Sequence, residues 1–293
     1  MLHSVSTRPL AQRLIISGAI ALSLTLTHSP FPAFKPPTAE AQQQRVAGWL
    51  MVQRLRGRVT YRSQQTRSAR SGDRLDQVGS SLTTASRSGA SLVLDNSLGS
   101  IQVAENTHLQ VQTLAVLSDG ARVTVLDVPQ GQVRLQVRRF SNPNSRLEIH
   151  TPSGVAAVRG TEFGVSATED GRTTVATLSG AVATSAQNQT VLLNPGFASV
   201  IRPGEPPSEP LPIDRALTFD VVGYGRAGQQ LSIIGDVNPT NTVWIEDEPV
   251  SVSRQGRVRA TLRLRKRRNF VDVEIRNPLG ERRHRRVWIH HDD

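Results

Sequence analysis

Arginine at every second position of a β-strand lines one face with guanidinium groups, and the segment from Arg257 has that spacing. Arg257, Arg259, Arg263 and Arg265 share parity with Thr261, while Val258, Ala260, Leu262 and Leu264 take the other face. Two residues of strand rise set successive guanidiniums about 7 Å apart. Lys266, Arg267 and Arg268 extend the row at the following turn, and Arg282, Arg283, Arg285 and Arg286 around His284 add a second cluster. Planar guanidinium forks grip phosphates and carboxylates in bidentate fashion, so this pattern suits a polyanion: a phosphorylated or acidic polysaccharide, an anionic lipid or nucleic acid. The competing reading is a solvated face, neutralised in part by Asp272 and Glu274 across the sheet, that keeps edge strands from pairing with other chains.

The charge is concentrated in one stretch. Residues 254–290 carry 12 arginines and Lys266 against three carboxylates, whereas residues 42–253 balance 19 arginines with 18 carboxylates. A near-neutral body with a basic tail points to an anionic partner for the tail, either an envelope protein or an anionic polysaccharide or lipid. Nucleic acid fits less well, because only Phe270 and Trp288 stand near the basic stripe to stack bases.

Other chemistry is missing. With no cysteine in 293 residues, disulfides, thiolate nucleophiles and cysteine-ligated metals are excluded. The chain contains no G-x-S-x-G, H-E-x-x-H, P-loop or dinucleotide fingerprint. His108 and His150 stand alone in strand-like runs, and His290-His291-Asp292-Asp293 reads as a frayed terminus. The paired carboxylates Glu169-Asp170 and Glu246-Asp247-Glu248 fall at turns. The expectation is a protein without catalytic activity, cofactor or metal.

The elements that must position these residues are strands. Gln132 to Arg138 alternates cleanly, with Val133, Leu135 and Val137 on one face and polar residues on the other. Similar runs recur from Leu55 onward, separated by turn residues such as Ser71-Gly72-Asp73, Asp119-Gly120, Pro129-Gln130-Gly131 and Asn194-Pro195-Gly196. The pattern predicts an all-β protein of jelly-roll or solenoid-like architecture. Arg202 to Pro212 is Pro-rich and reads as a semi-rigid linker between a body over 45–201 and a basic β-domain over 213–290. Asn277-Pro278-Leu279-Gly280 reads as a turn within the second.

At the start, His3, Arg8 and Arg13 precede the apolar run Leu14–Thr27, and Ala39-Glu40-Ala41 follows. That order is the signature of a signal peptide over 1–41. It predicts an exported protein, periplasmic or extracellular, associated with the cell envelope and without a transmembrane segment in its mature part. An uncleaved anchor or an organelle transit peptide is the other reading.

Thr151-Pro152-Ser153-Gly154-Val155-Ala156-Ala157-Val158-Arg159-Gly160-Thr161-Glu162-Phe163-Gly164-Val165 is the most distinctive stretch. Pro152 fixes an extended backbone, Gly160 interrupts a strand, and Phe163 with Val165 resumes the alternation. Arg159 and Glu162 are close enough in sequence to pair across the interruption. The stretch shapes a bend in a β-domain or contacts a ligand directly. With Leu55-Arg56-Gly57-Arg58-Val59, Ser71-Gly72-Asp73-Arg74-Leu75 and Leu192-Leu193-Asn194-Pro195-Gly196, it resembles the FecR domain over 52–201. Within that signature Thr151, Pro152, Val158, Arg159, Gly160, Thr161 and Phe163 carry the resemblance.

The founding member of that family is a signal transducer with a cytoplasmic anti-sigma segment, one membrane helix and an external FecR domain facing an outer-membrane receptor. This chain shows neither the cytoplasmic segment nor the membrane helix, so the resemblance implies an exported binding or scaffold module. A sensor subunit working through a separate membrane protein is the alternative. Residues 213–290 are similar in a generic way to the immunoglobulin-like modules of bacterial surface proteins.

Overall fold

Apolar residues at every second position give strands with one face to bury, and two such sheets bury their faces against each other. The computed structural model describes residues 48–95, 98–263 and 269–289. The signal peptide expected over 1–41, the terminal His290–Asp293, and Arg265, Lys266, Arg267 and Arg268 lie outside the described residues.

The described residues are all-β. The first strands are β1 (Leu50–Arg56), β2 (Val59–Arg62), β3 (Thr66–Ser68), β4 (Arg74–Leu75), β5 (Ser81–Thr84), β6 (Gly89–Leu94), β7 (Gly99–Val103) and β8 (His108–Val116). The long β9 (Arg122–Val137) precedes β10 (Arg146–His150), β11 (Val155–Val158), β12 (Glu162–Ala167), β13 (Thr173–Ser179), β14 (Val182–Ala186), β15 (Gln189–Leu193), β16 (Phe197–Ile201) and β17 (Leu211–Pro212). The remainder are β18 (Asp220–Ala227), β19 (Gln230–Asp236), β20 (Thr242–Ile245), β21 (Glu248–Val250), β22 (Arg257–Arg263), β23 (Phe270–Arg276) and β24 (Arg282–Trp288).

Strands β1 to β17 build two layers. One runs β3-β2-β5-β8-β9-β10-β11-β14-β15, and the other runs β4-β1-β6-β7-β9-β12-β13-β16-β17. Every pairing is antiparallel except β9 with β10. Leu82, Leu109, Leu126 and Ile149 from one layer and Leu92, Ile101, Leu135 and Phe163 from the other share a single buried core.

Strand β9 belongs to both layers: Arg122–Gln130 pairs β8, and Val133–Val137 pairs β7. Pro129-Gln130-Gly131 is therefore not a turn between two strands but the bend of one. The ladder with β8 skips register between His108 and Gln110, which leaves Pro129 where no amide proton is needed. Gly131 has φ 102°, and a Cβ there would lie 2.6 Å from Thr107 Cβ.

The Pro-rich stretch makes contacts of its own with the first unit. Ser208 donates its amide to the Val200 carbonyl at 2.9 Å, and β17 pairs β16 through Phe197 with Pro212 and Ala198 with Leu211. Proline is tolerated because this is a sheet edge.

The C-terminal unit has sheets β18-β19-β22 and β21-β20-β23-β24. Leu231, Ile233 and Val258 from the first meet Val243, Ile245, Val271, Val273 and Ile275 from the second in a separate core. Glu248, expected at a turn, begins the short strand β21.

The two units are joined. Gly164 and Ser166 on β12 and Ala176 on β13 face away from the first core yet are buried. The β23–β24 turn covers them. Leu279 is 2 % exposed and sits with Ala176, Ala198, Leu178 and Ile213. At Gly164 an added Cβ would lie 2.8 Å from the Pro278 carbonyl carbon and 3.1 Å from Leu279 Cα. Gln132 Nε2 donates to the Asn277 carbonyl at 2.8 Å. Arg172, buried, donates from Nη1 to the Pro239 carbonyl at 2.9 Å and from Nη2 to the Asn241 carbonyl at 2.8 Å. Burial with no carboxylate in direct contact lowers its pKa to about 10, so it keeps its proton at neutral pH.

Candidate functional site

Strand β22 alternates as the sequence predicts. Val258, Ala260 and Leu262 turn to the core, while Arg257, Arg259, Thr261 and Arg263 face out. Its neighbour is β19, so the residues opposite the arginines come from there: Arg257 faces Asp236, Arg259 faces Ile234, and Arg263 faces Gln230. Asp272 and Glu274 lie in the other sheet, opposite Arg286 and His284, and are not the cross-strand neighbours of Arg257, Arg259 and Arg263. Among the described residues of the row only Arg257 has a carboxylate, forming a bidentate pair with Asp236. Arg263 donates to Gln229 Oε1 at 2.9 Å, and Arg259 is exposed without a side-chain partner among the described residues.

Beyond β19, β18 sets Gly223 opposite Ile234 and Gly225 opposite Ser232. A Cβ at either glycine would meet nothing within 4 Å. The outer face of this sheet thus has a shelf at Gly223 and Gly225, between the outward positions Asp220 and Ala227 of β18, with Arg259 and Arg263 standing along its far side. A polymer backbone could approach the sheet there without displacing a side chain.

The second cluster sits elsewhere. Strand β24 is the edge of the other sheet, whereas an isolated bridge from Val252 to Val258 sets β22 beside the opposite edge. Because both sheets turn their apolar faces to one core, the outward arginines of β22 and those of β24 face opposite directions. The sequence clusters do not merge into one surface. Arg283 and Arg285 share the inward parity of Val287, and Arg283 Nη1 donates to the Ala216 carbonyl at 2.9 Å.

Across β23, Arg286 meets Asp272 at 3.2 Å and His284 meets Glu274 at 3.4 Å. The Arg286 guanidinium lies 4.2 Å from the Phe270 ring centre, and Phe270 packs against Trp288 with centroids 5.2 Å apart. These aromatic rings engage each other and an arginine. Arg276, buried, joins Glu274 at 2.5 Å and Glu105 of the first unit at 2.9 Å, with Arg282 3.8 Å from Glu105. Burial opposes ionisation of Glu105. The Arg87 amide, Arg276 and Arg282 outweigh it and hold the carboxyl below its ordinary range. Most of this cluster is therefore occupied in structural contacts.

The signature stretch forms a corner. Thr151 closes the turn after β10, its hydroxyl donating to the Gly154 carbonyl at 2.8 Å, and Pro152 is exposed on that turn. Val158 ends β11 in one layer, and Phe163 begins the buried face of β12 in the other. The chain changes layer at Arg159-Gly160-Thr161. Gly160 has φ 144°, and a Cβ there would fall 2.8 Å from the Arg139 amide nitrogen. Thr161, buried, accepts the Val137 amide on its carbonyl at 2.9 Å. Arg159 and Glu162 do not pair. Past the corner Glu162 turns to Arg134, 2.6 Å away, and Arg159 stays exposed. The bend is thus visible, while the outward arginine is left available.

Both histidines singled out in the sequence, and the carboxylates beside them and at Glu169-Asp170, have structural partners. Glu148 is buried beside His150 at 2.9 Å and Arg146 at 2.7 Å, which lower its pKa against the effect of burial. His108 meets Thr83 Oγ1 at 2.8 Å, and its burial lowers its pKa. Glu169 accepts Gln130 Nε2 at 2.9 Å, and Asp170 accepts Ser251 Oγ at 2.9 Å. Among the described residues no three histidines or carboxylates gather as a metal site, and no helix is long and apolar enough to cross a membrane.

A two-layer domain whose signature stretch makes the layer-changing corner defines a class. Residues 80–183, β5 to the start of β14, match the FecR family, described as FecR protein, and the chain carries a FecR domain. No curated protein matches the chain. Two crystal structures of proteins described as anti-sigma factors from Parabacteroides distasonis ATCC 8503 are similar. The first is 17 % identical with a TM-score of 0.37 over 45 % of this chain and 57 % of its own, the second 19 % identical with a TM-score of 0.32 over 39 % and 50 %. The matched region thus spans about half the length of each of those chains. A polysaccharide lyase matches at 9 % identity with a TM-score of 0.20 over 84 % of this chain and 40 % of its own.

Proposed function

We propose that the protein is a non-enzymatic, exported binding or scaffold module of the cell envelope, whose C-terminal unit holds an anionic envelope polymer against the outer face of β18-β19-β22. The observation that carries this reading is the pairing pattern on that face. Arg257 is matched by Asp236, whereas Arg259 and Arg263 have no carboxylate among the described residues and stand across from the shelf of Gly223 and Gly225. Cations without counter-charges beside an unobstructed backbone suit a chain of repeated negative charges. Sequence adds Arg265, Lys266, Arg267 and Arg268 directly after the strand. The FecR domain supports an envelope setting, and the leader-like first 41 residues support export.

The test is retention of the full chain on immobilised dextran sulfate at increasing salt, beside Arg259→Gln/Arg263→Gln and Arg282→Gln/Arg286→Gln. Elution of the first double variant at clearly lower salt, with the second close to wild type, supports the shelf as the site. Equal loss in both variants reduces the effect to net charge and overturns it.

A further inference from the structure

A second place where cations lack counter-charges lies in the FecR domain, at the layer-changing corner and away from the shelf. Arg139 and Arg159, both exposed, line one depression of about 450 Å³ with Phe140 and Ser141. Neither guanidinium has a carboxylate or other side-chain partner among the described residues. The carboxylates nearest in sequence are engaged elsewhere. Glu162 is held by Arg134 and Glu148 by Arg146 and His150, while Asp119, on the preceding hairpin, accepts the Asn144 side chain at 2.6 Å and the Ala121 amide at 2.9 Å.

The two arginines are also held in place. Phe140 donates its amide to the Arg159 carbonyl at 2.9 Å, which ties their backbones together. Gly160 packs so closely on the Arg139 backbone that no Cβ fits between them. The turn carrying Ser141 is fixed on its far side by Asn142, whose side-chain amide donates to the Asp119 carbonyl at 2.9 Å. The segments bearing both guanidiniums are therefore set before any ligand arrives, which removes part of the ordering cost of binding.

We propose that Arg139 and Arg159 form a binding site for a phosphate monoester carried on a sugar. Two guanidiniums match the two charges of a phosphomonoester at neutral pH, and their planar forks present more donors than one carboxylate can accept. The Ser141 hydroxyl supplies a further donor. The depression exceeds a bare oxyanion, leaving room for the attached ring beside Phe140. The signature arginine thereby gains a role that the bend alone does not require, since its backbone, not its guanidinium, builds the corner.

The test is calorimetric titration of the full chain with glucose 1-phosphate, inorganic phosphate, glucuronate and glucose, using wild type, Arg139→Gln, Arg159→Gln and Arg259→Gln. Glucose 1-phosphate is expected to bind, glucuronate at least about tenfold more weakly and glucose not at all. Arg139→Gln and Arg159→Gln should each weaken the sugar phosphate about tenfold or more, the scale of one charge-assisted contact. Both side chains are exposed, so an unchanged melting temperature shows that the fold is intact. Arg259→Gln should leave the affinity unchanged, which separates this site from the polymer face. Binding should weaken as pH falls through about 6, where the ester takes up a proton. Equal affinity for glucuronate, or unchanged binding in either corner variant, overturns the site. Equal affinity for inorganic phosphate overturns the sugar as its carrier.

Discussion

Replacing Gly164 by alanine tests how the two units are joined. The new Cβ would press on the Pro278 carbonyl group, with its carbon at 2.8 Å and Leu279 Cα at 3.1 Å. These are backbone atoms, so no rotamer change relieves the contact and the β23–β24 turn must lift by about the width of a methyl group. Lifting it exposes Leu279, now 2 % accessible, at about 2 kcal/mol. It also breaks the buried bond from Gln132 to the Asn277 carbonyl, at about 1 kcal/mol.

The joint should thus weaken by about 3 kcal/mol while both hydrophobic cores stay intact, since Gly164 belongs to neither. For a chain of this size that corresponds to a fall of roughly 6–12 °C in the melting of the coupled structure. Calorimetry with hydrogen exchange reads it: the amides of residues 277–281 should lose protection first, and the single transition should split in two. Gly223→Ala is the control, since its Cβ would enter open space, and it should stay within about 0.5 kcal/mol of wild type. A Gly164→Ala protein that melts as wild type does, with residues 277–281 still protected, would refute the joint.

Three more outcomes follow from the same contacts. Arg172→Ala should destabilise by about 2–4 kcal/mol in urea melts, because it strips the Pro239 and Asn241 carbonyls of charged donors in a buried place. Gly160→Ala should cost more than the ordinary surface substitution and lower the yield of folded protein, since both φ and the Arg139 backbone oppose a side chain. Stability should fall on acidification in two stages. His108 has a lowered folded pKa, so the unfolded chain takes up its proton first and stability declines as pH drops below about 6.5, an effect that His108→Gln should remove. Glu148 and Glu105, also lowered, favour the folded state above about pH 4.5, and that contribution is lost as pH falls further.

Strand content and parity were legible in the sequence because a period of two survives any arrangement of the sheets. The outward face of β22 and the interruption at Gly160 could both be read that way. Pairing could not. Asp272 and Glu274 look like the partners of Arg257–Arg263 by proximity along the chain, yet the pairing of β22 with β19 brings Asp236 instead. Arg159 and Glu162 stand three residues apart, but a change of layer lies between them. Pro129-Gln130-Gly131 has the composition of a turn, and only the neighbouring β8 shows that the ladder continues past it. The joint did leave a trace: Gly164, Ala176 and Ala198 are small residues at outward positions of strands, which suits a covered face.

Strand β9 has one more consequence. Since Arg122–Gln130 and Val133–Val137 serve different layers, neither layer is complete until the other has formed around the same segment. Partial assembly of the FecR domain therefore gains little, which favours a late, all-or-none folding step. Cutting the chain at Gln130 would open both layers at once. New termini at Gly204, whose Cβ position is open, would leave β9 whole. A circular permutant at the first site should fail to assemble where one at the second succeeds.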